Sequence, residues 1–439
     1  MDWRSPRVCR LSGRPNWIAL GVLLFPTLLA AQPPEGPEVR VARLIKELSD
    51  ADFTTRRTAY QRLAKLGTQG REQLQAAARD ADPEVRLRAG QLLEQLRLEE
   101  LWAPSLVSLD GSRSASEVLE ELAKQSGNHV HIGDPYGTFA DEKIDVAFDG
   151  IAYWEAVDEV CRRTGNRMRP HYDMHTPGVV VSSGSPGDYP KAYSGPVRAQ
   201  ITSAKRHFVE ELDYAEGKSD LSHSFHINVQ FNWEDQFRIV GYATQPELVE
   251  GRTDNHVVIS SAQANRASWN ATSRGLRQVT SSIKLNPIPV SAQSLQVFTI
   301  RWGLIAIGDP AVLELTDLGV GKLHAQDDLT VEIESIESPT DGKVVITLSV
   351  LRDLVMPEPY EVVFREYDVE LFDDQGEPYR VQNLSPALTD SGVQLRVTFH
   401  GASAKSAPKM LKLHYPRLRA RRDVELTFRD VPLPVARPE

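Results

Sequence analysis

The spacing of apolar residues changes twice along the 439-residue chain. Between residues 36 and 102, Leu and Ala recur every three or four positions, as on one face of an α-helix. Between residues 105 and 184, two further helical stretches are interleaved with short alternating stretches. From 197 to 435, alternation prevails, as in Phe225–Trp233, and turns rich in Gly, Asp and Pro separate the stretches. We therefore predict a multidomain chain with α-helical hairpins, then a small α+β (βαββαβ) domain, then antiparallel β-sandwich domains.

The helical region contains an internal repeat. Asp-Ala-Asp at 50–52 recurs at 80–82, and the same offset aligns Arg56 with Arg86. The words Asp-Pro-Glu-Val-Arg at 82–86, with the leucines that follow, resemble a HEAT repeat. This resemblance covers about 36–100 and implies stacked helical pairs that present a surface to protein partners. Two units are few for an independent solenoid, so we expect this region to pack on its neighbour.

The stretch 105–184 also resembles a known family. The words that carry this resemblance are Leu-Glu-Glu-Leu-Ala-Lys-Gln-Ser-Gly at 119–127, the strand pattern at 144–148, and a helix from Trp154 that stops at Gly165. They are similar to the short N-terminal domain of secretins and TonB-dependent receptors. The resemblance implies a role in protein contacts within a secretion or uptake machine.

The rest of the chain is divided by composition and length. Residues 185–196 are rich in Gly, Ser and Pro, which predicts a linker. The strand-rich part beyond it is too long for one seven-stranded sandwich, so we predict two, at 197–318 and 319–435. We expect the segment 36–184 to make the functional contacts and to fold by itself, with the sandwiches as spacers or secondary docking modules.

The first residues predict export. Four arginines precede an apolar run from Trp17 to Ala31, and this run is shorter than the roughly 20 residues that cross a bilayer. Residues 1–31 therefore predict a cleavable signal peptide, a periplasmic or otherwise extracytoplasmic location, and no membrane span in the mature chain. The net charge of -10, without a basic cluster, argues against binding to nucleic acid.

Cys161 would be the only cysteine after removal of that peptide, because the other is Cys9. Trp154 and Val157 place Cys161 on the apolar face of its helix. We therefore predict a buried core thiol in preference to a nucleophile.

One group of residues has the composition of a metal site. His129 and His131 lie two apart on a strand and so share a face, and His171, Asp173 and His175 follow in the same domain. The alternative is a set of exposed polar histidines, and we favour it. We predict no metal, no cofactor and no catalytic residues, since no recognised catalytic motif occurs in the sequence.

Two functions are compatible with these patterns. We favour an exported cell-envelope binding or scaffolding protein that acts on an unknown protein partner without catalysis. The alternative is an extracytoplasmic enzyme that acts on an envelope polymer and carries β-sandwich accessory modules. A purely structural envelope component is a third possibility.

Overall fold

The computed structural model describes residues 36–133, 138–170, 178–184, 189–213, 215, 218–262, 268–272, 276–327, 329–340, 343–352, 368–389, 392–401 and 407–434. The predicted signal peptide lies outside these residues, and so do His171, Asp173 and His175. The chain divides into two compact units, Met1–Leu93 and Glu94–Glu439. The prediction of a helical start followed by antiparallel sheets is confirmed.

The first unit contains helices α1 (Pro37–Glu47), α2 (Phe53–Leu66) and α3 (Arg71–Ala77), and the beginning of α4 (Pro83–Leu101). Its apolar faces are buried as the spacing predicts. The fully or nearly fully buried side chains include Val41, Leu44, Leu48, Ala59, Leu63, Leu74, Val85, Ala89 and Leu92.

The two Asp-Ala-Asp turns in this unit have matching hydrogen bonds. The Asp50 carboxylate accepts from the backbone N–H of Asp52 at 2.8 Å, and that of Asp80 accepts from the N–H of Asp82 at 2.9 Å. The Arg56 guanidinium donates to the backbone carbonyls of Asp50 and Ala51. In the second copy, the Arg86 guanidinium donates to those of Asp80 and Ala81. The sequence repeat is therefore also a repeat of local structure.

The second unit begins with the end of α4, followed by a small α+β module at 105–184. Its elements are β1 (Leu106–Ser114), α5 (Ala115–Ser126), β2 (Val130–Ile132), β3 (Lys143–Ala152), α6 (Tyr153–Thr164), β4 (Asn166–Pro170) and β5 (Val179–Ser183). The Ser114 capping box begins α5, and left-handed glycines, Gly127 and Gly165, end the two helices. Both helices pack into one apolar core with the strands.

The strand arrangement of this module differs from the prediction. The order is βαββαββ, and the strands form two sheets where the sequence predicted one. β1 pairs with β3 in an antiparallel ribbon, whereas the three-residue β2 pairs in parallel with β5, which also pairs with β4. β2 therefore pairs with a strand that follows α6, and neither β2 nor β5 joins the β1–β3 ribbon.

The remaining strands are β6 (Lys191–Ser194), β7 (Val197–Asp213), β8 (Lys218–Trp233), β9 (Arg238–Ala243), β10 (Glu247–Thr253), β11 (Trp269–Ala271), β12 (Gln278–Leu285), β13 (Ser294–Leu315), β14 (Leu323–Gln326), β15 (Leu329–Thr340), β16 (Lys343–Arg352), β17 (Asp368–Asp373), β18 (Arg380–Thr389), β19 (Gly392–His400) and β20 (Pro408–Pro432). They form three sheets, with orders β12-β8-β7-β6, β11-β9-β13-β20-β17 with β10 also on β13, and β14-β15-β16-β19-β18.

Among the described residues, these sheets form two large apolar cores, and Val240, Trp269, Ile305 and Ile307 form a smaller cluster. The first core is built around Phe231, Trp302 and Phe428, and the second around Ile346, Leu395 and Leu413. The paired strands β13 and β20, here called the β13–β20 ribbon, contribute to both cores. Residues from Val424 to Leu433 return to the first core, beyond the division predicted at 318/319.

Part of the stretch predicted as a linker is ordered in a sheet. Residues 191–194 form β6, which pairs with β7, and Ala192 is buried in the first core. In the part of the chain that the structure describes, no helix is both long and apolar enough to cross a membrane.

Candidate functional site

Two clusters of buried and half-buried polar residues join the small α+β module to the β-sheets that follow it. We call these clusters together the polar junction: Ser105, Asn128, Asp158, Lys191, Tyr193, Arg198 and Glu234.

The first cluster surrounds Asp158 on α6. Arg198 of β7 holds its carboxylate through two parallel hydrogen bonds, Nε to Oδ2 at 2.6 Å and Nη2 to Oδ1 at 2.9 Å. Tyr193 donates its hydroxyl to Oδ2 at 2.7 Å, and the Lys191 Nζ lies 2.9 Å from Oδ1. Asp158 and Arg198 are only 7% and 1% exposed. The module thus presents one carboxylate, and the strands β6 and β7 surround it with donors.

The electrostatics of this cluster keep the pair ionised. Burial alone would raise the pKa of Asp158, but the charge and hydrogen bonds of Arg198, with help from Lys191, hold that pKa below its usual value. Arg198 has a raised pKa because Asp158 outweighs the effect of burial. Burial and the Asp158 charge raise the pKa of Tyr193, so its hydroxyl stays protonated as a donor.

The second cluster surrounds Glu234, which is 1% exposed and follows directly after β8. Its carboxylate accepts from the backbone N–H of Ser105 at 3.1 Å, from the Ser105 hydroxyl, and from the Asn128 side-chain amide at 3.2 Å. Asn128 in turn accepts from the backbone N–H of Asp235 at 2.6 Å. Burial raises the pKa of Glu234, and these hydrogen bonds offset only part of that effect.

His129 lies at the edge of this cluster and contacts Asp235. Its Nδ1 and its backbone N–H lie 3.0 Å and 2.7 Å from the Asp235 Oδ2, while the Arg277 Nε lies 3.3 Å from Oδ1. A carboxylate that orients a histidine is found in catalytic sites and in metal sites as well as in purely structural contacts. Here the arrangement fixes a loop of the small module against the turn after β8.

The structure brings together only part of the predicted histidine group. His131 is half-buried on β2, and His129 faces Asp235. Within the ranges that the structure describes, no group of three or more His, Cys, Asp or Glu side chains is arranged to hold a metal ion. The other three predicted ligands, His171, Asp173 and His175, lie outside the described residues.

Aromatic contacts complete the junction. Trp154 donates its indole N–H to the carbonyl of Pro196 at 3.0 Å, across the boundary between module and sheet. The ring of Trp102 packs edge-on against Phe237 with 4.9 Å between ring centroids. The Trp154 hydrogen bond thus adds to the attachment of the small module, and the Trp102 contact joins the residue after α4 to the turn before β9.

Cys161 lies one turn after Asp158 on α6 and is 2% exposed. Burial raises the pKa of its thiol to about 12, and the Asp158 charge adds to this. The predicted buried core thiol is confirmed, and a thiolate nucleophile is disfavoured at this position.

The sequence interpretation missed the polar junction. Asp158 carried a usable signal, because it lies between Val157 and Cys161 on the buried side of α6, and a buried carboxylate needs a partner. Glu234 carried no such signal. Its partners Ser105 and Asn128 lie 129 and 106 positions earlier in the chain.

Comparisons with protein-family models, with curated proteins and with solved structures find no match for this chain.

Proposed function

We propose that this protein is an exported cell-envelope scaffold that binds a protein partner and carries out no catalysis. The observation that supports this most is the polar junction, which joins the small α+β module to the β-sheets. Its buried charged groups are engaged with one another: Asp158 with Arg198, and Glu234 with Ser105 and Asn128. Among the described residues, the Arg198 Nη1 has no hydrogen-bond partner, but its Nε and Nη2 both donate to the Asp158 carboxylate. Buried hydrogen-bonded networks of this kind stiffen a structure.

A stiff body suits a scaffold because its binding surfaces keep a fixed geometry when a partner docks. Pre-organised surfaces bind with a smaller loss of conformational freedom. The export prediction from residues 1–31 favours a location in the cell envelope. The resemblance of 105–184 to the short N-terminal domain of secretins and TonB-dependent receptors favours the same location. These two supports come from the sequence.

The helical unit supplies exposed apolar side chains that suit contact with a protein. Phe53 on α2 is 62% exposed, Leu87 on α4 is 58% exposed, and Val39 on α1 is 61% exposed. Large apolar side chains that are this exposed are available for contact with a partner. The HEAT resemblance of 36–100 implies the same use for these helices.

The structure changes how this proposal is tested. A chain that ends near Gly184 would lack Lys191, Tyr193 and Arg198, and Asp158 would lose these partners. Because these partners lie beyond the segment 36–184, the proposal is tested in the full mature chain.

The experiment is affinity capture from the native envelope with three full-length proteins. Wild type and Val258→Ser should capture the same partner, because Val258 is 77% exposed but lies in the β-rich unit. The double variant Phe53→Ser with Leu87→Ser should lose that partner while it keeps the wild-type melting temperature. Retention by the double variant, or turnover of an envelope polymer by purified protein, would refute the proposal, and turnover would favour the enzyme alternative.

A further inference from the structure

The β12-β8-β7-β6 sheet has one face that carries only polar side chains. On β8, Phe225, Ile227 and Val229 belong to the first core, so the residues between them lie on the opposite face. Four cross-strand rows, here called the outer polar face, follow from the register: Ser224 with His207; Lys284, His226 and Lys205; Ser282, Asn228 and Ser203; and Thr280, Gln230 and Gln200. None of these residues is acidic, although the whole chain has a net charge of -10.

The outer polar face is accessible beyond the polar junction. The next row contains Arg198, which holds Asp158 of the small module, so the module covers only that end of the sheet. Lys205, His207, Thr280 and Ser282 are exposed, and the other members of the four rows are half-buried, as is usual in the middle of a solvated sheet face.

One row places cationic groups side by side on three adjacent strands. Lys205 and Lys284 both lie directly opposite His226, and residues in such positions have Cβ atoms about 4.5–5.5 Å apart. The His207 ring adds to this group, with its centroid 5.2 Å from that of the His226 ring. No described residue forms a hydrogen bond or an ion pair with either lysine side chain.

This row is unfavourable in the absence of an anion. Like charges that lie directly opposite each other destabilise a sheet. Burial lowers the pKa of His226, and His207, Lys284 and Lys205 lower it further, so the histidine is kept neutral by its cationic neighbours. An anion bound over the row would offset this repulsion, because it would interact favourably with both lysines.

The rows beside the cations carry side-chain amides and hydroxyls. Asn228 donates one amide N–H to the Ser203 hydroxyl at 2.8 Å, and Gln230 donates one to the Asn232 side-chain oxygen at 3.1 Å. Each amide has a second N–H and a carbonyl oxygen in addition. A group that donates and accepts at adjacent atoms suits neighbouring sugar hydroxyls, which also donate and accept.

The composition of the outer polar face disfavours other polymers. Protein interfaces are anchored by aromatic and apolar side chains, and single-stranded nucleic acids stack their bases on aromatic rings. The four rows contain no Phe, Tyr, Trp or aliphatic side chain. The net charge of -10 also repels nucleic acid over long distances. A chain of sugars with a carboxylate at intervals matches both the cations and the amides.

We infer that the outer polar face binds an acidic polysaccharide, with Lys205 and Lys284 binding its carboxylates and Asn228 and Gln230 binding its hydroxyl groups. The face is separate from the exposed apolar side chains of the helical unit. It therefore adds a second ligand to the proposed scaffold, and the inference does not depend on the protein partner.

The test is calorimetric titration of the full mature chain with polygalacturonate, with neutral dextran and with poly-L-glutamate, which has carboxylates but no sugar. Polygalacturonate should bind most tightly, and its affinity should fall as the salt concentration rises. The double variant Lys205→Gln with Lys284→Gln should weaken this binding about tenfold or more. Lys124→Gln with Lys409→Gln makes the same change in net charge at exposed lysines elsewhere, and should bind as wild type.

A second double variant tests recognition of the sugar rather than of charge alone. Gln230→Ala with Thr280→Ala should remove the preference for polygalacturonate over poly-L-glutamate and leave binding of poly-L-glutamate unchanged. Absence of saturable polygalacturonate binding would overturn the inference, and so would equal affinity of wild type for the two acidic polymers. Tighter binding of single-stranded DNA than of polygalacturonate would also overturn it, in favour of a nucleic acid. Equal weakening by the two lysine double variants would show charge attraction without a site.

Discussion

Removal of the Asp158 carboxylate is the sharpest test of the polar junction. The substitution Asp158→Ala leaves the Arg198 guanidinium in a site that is 1% exposed, with the Gln200 side-chain oxygen at 2.8 Å as a remaining acceptor. Breaking a buried ion pair by removing one partner costs about 3–5 kcal/mol. Lys191 adds little to this cost, because its side chain is 23% exposed and can turn to water.

The neighbouring residue Glu159 provides a matched control on the same helix. It pairs with Arg162 and Arg163 at the surface, with 2.7 Å and 2.6 Å between the closest atoms. Exposed pairs of this kind contribute less than about 1 kcal/mol, so Glu159→Ala should change stability little.

Labelling of Cys161 measures the opening of α6 directly. In a Cys9→Ser background, Cys161 is the sole thiol, and it is buried one turn from Asp158. A loss of 3–5 kcal/mol should speed its labelling under native conditions by roughly 10²- to 10⁴-fold, since each 1.4 kcal/mol is a factor of ten. Adding Arg198→Met to Asp158→Ala should restore much of the protection, because the unpaired cation is gone. Equal labelling rates in Asp158→Ala and Glu159→Ala would refute the reasoning.

Three further predictions concern other parts of the chain. The raised pKa of Glu234 means that its contribution to stability is complete below the ordinary value of 4.5 and is lost as the pH rises through the higher folded-state value. The unfolding free energy of wild type relative to Glu234→Gln should therefore fall as the pH rises from 4.5 towards neutral, and a constant difference would contradict this. Protein purified without chelator should hold no stoichiometric zinc; about one zinc per chain, lost when His129 and His131 become alanine, would show a metal site. N-terminal sequencing of protein from the native host should begin close to Gln32, and an intact Met1 in a membrane fraction would disprove the signal peptide.

The sequence predicted those features that depend on neighbours in the chain. Helical spacing located α1 to α6, because each helix buries one stripe of side chains at regular intervals. Strict alternation located β8, and glycines at 127 and 165 located the ends of α5 and α6. The burial of Cys161 followed from its position on the same stripe as Trp154.

Features that depend on distant pairing were missed for a physical reason. Alternation shows that a segment is a strand and says nothing about its partner, so the two sheets of the small module and the shared ribbon could not be predicted. The site posed the same difficulty. A carboxylate such as Glu234 in a turn normally indicates a solvated residue, and only the approach of Ser105 and Asn128 makes it a buried acceptor.

The β13–β20 ribbon has a consequence for the order in which the protein can fold during synthesis. The first core needs Val424, Leu426 and Phe428 from β20, yet the ribosome makes these residues after all the strands β14 to β19 of the other core. The first core, which contains the apolar side chains of β7 and β8, therefore stays incomplete until the last strand has been made. Chains with an incomplete core expose apolar surface and tend to aggregate. A carrier protein that holds an exported chain unfolded until translocation is complete prevents this aggregation.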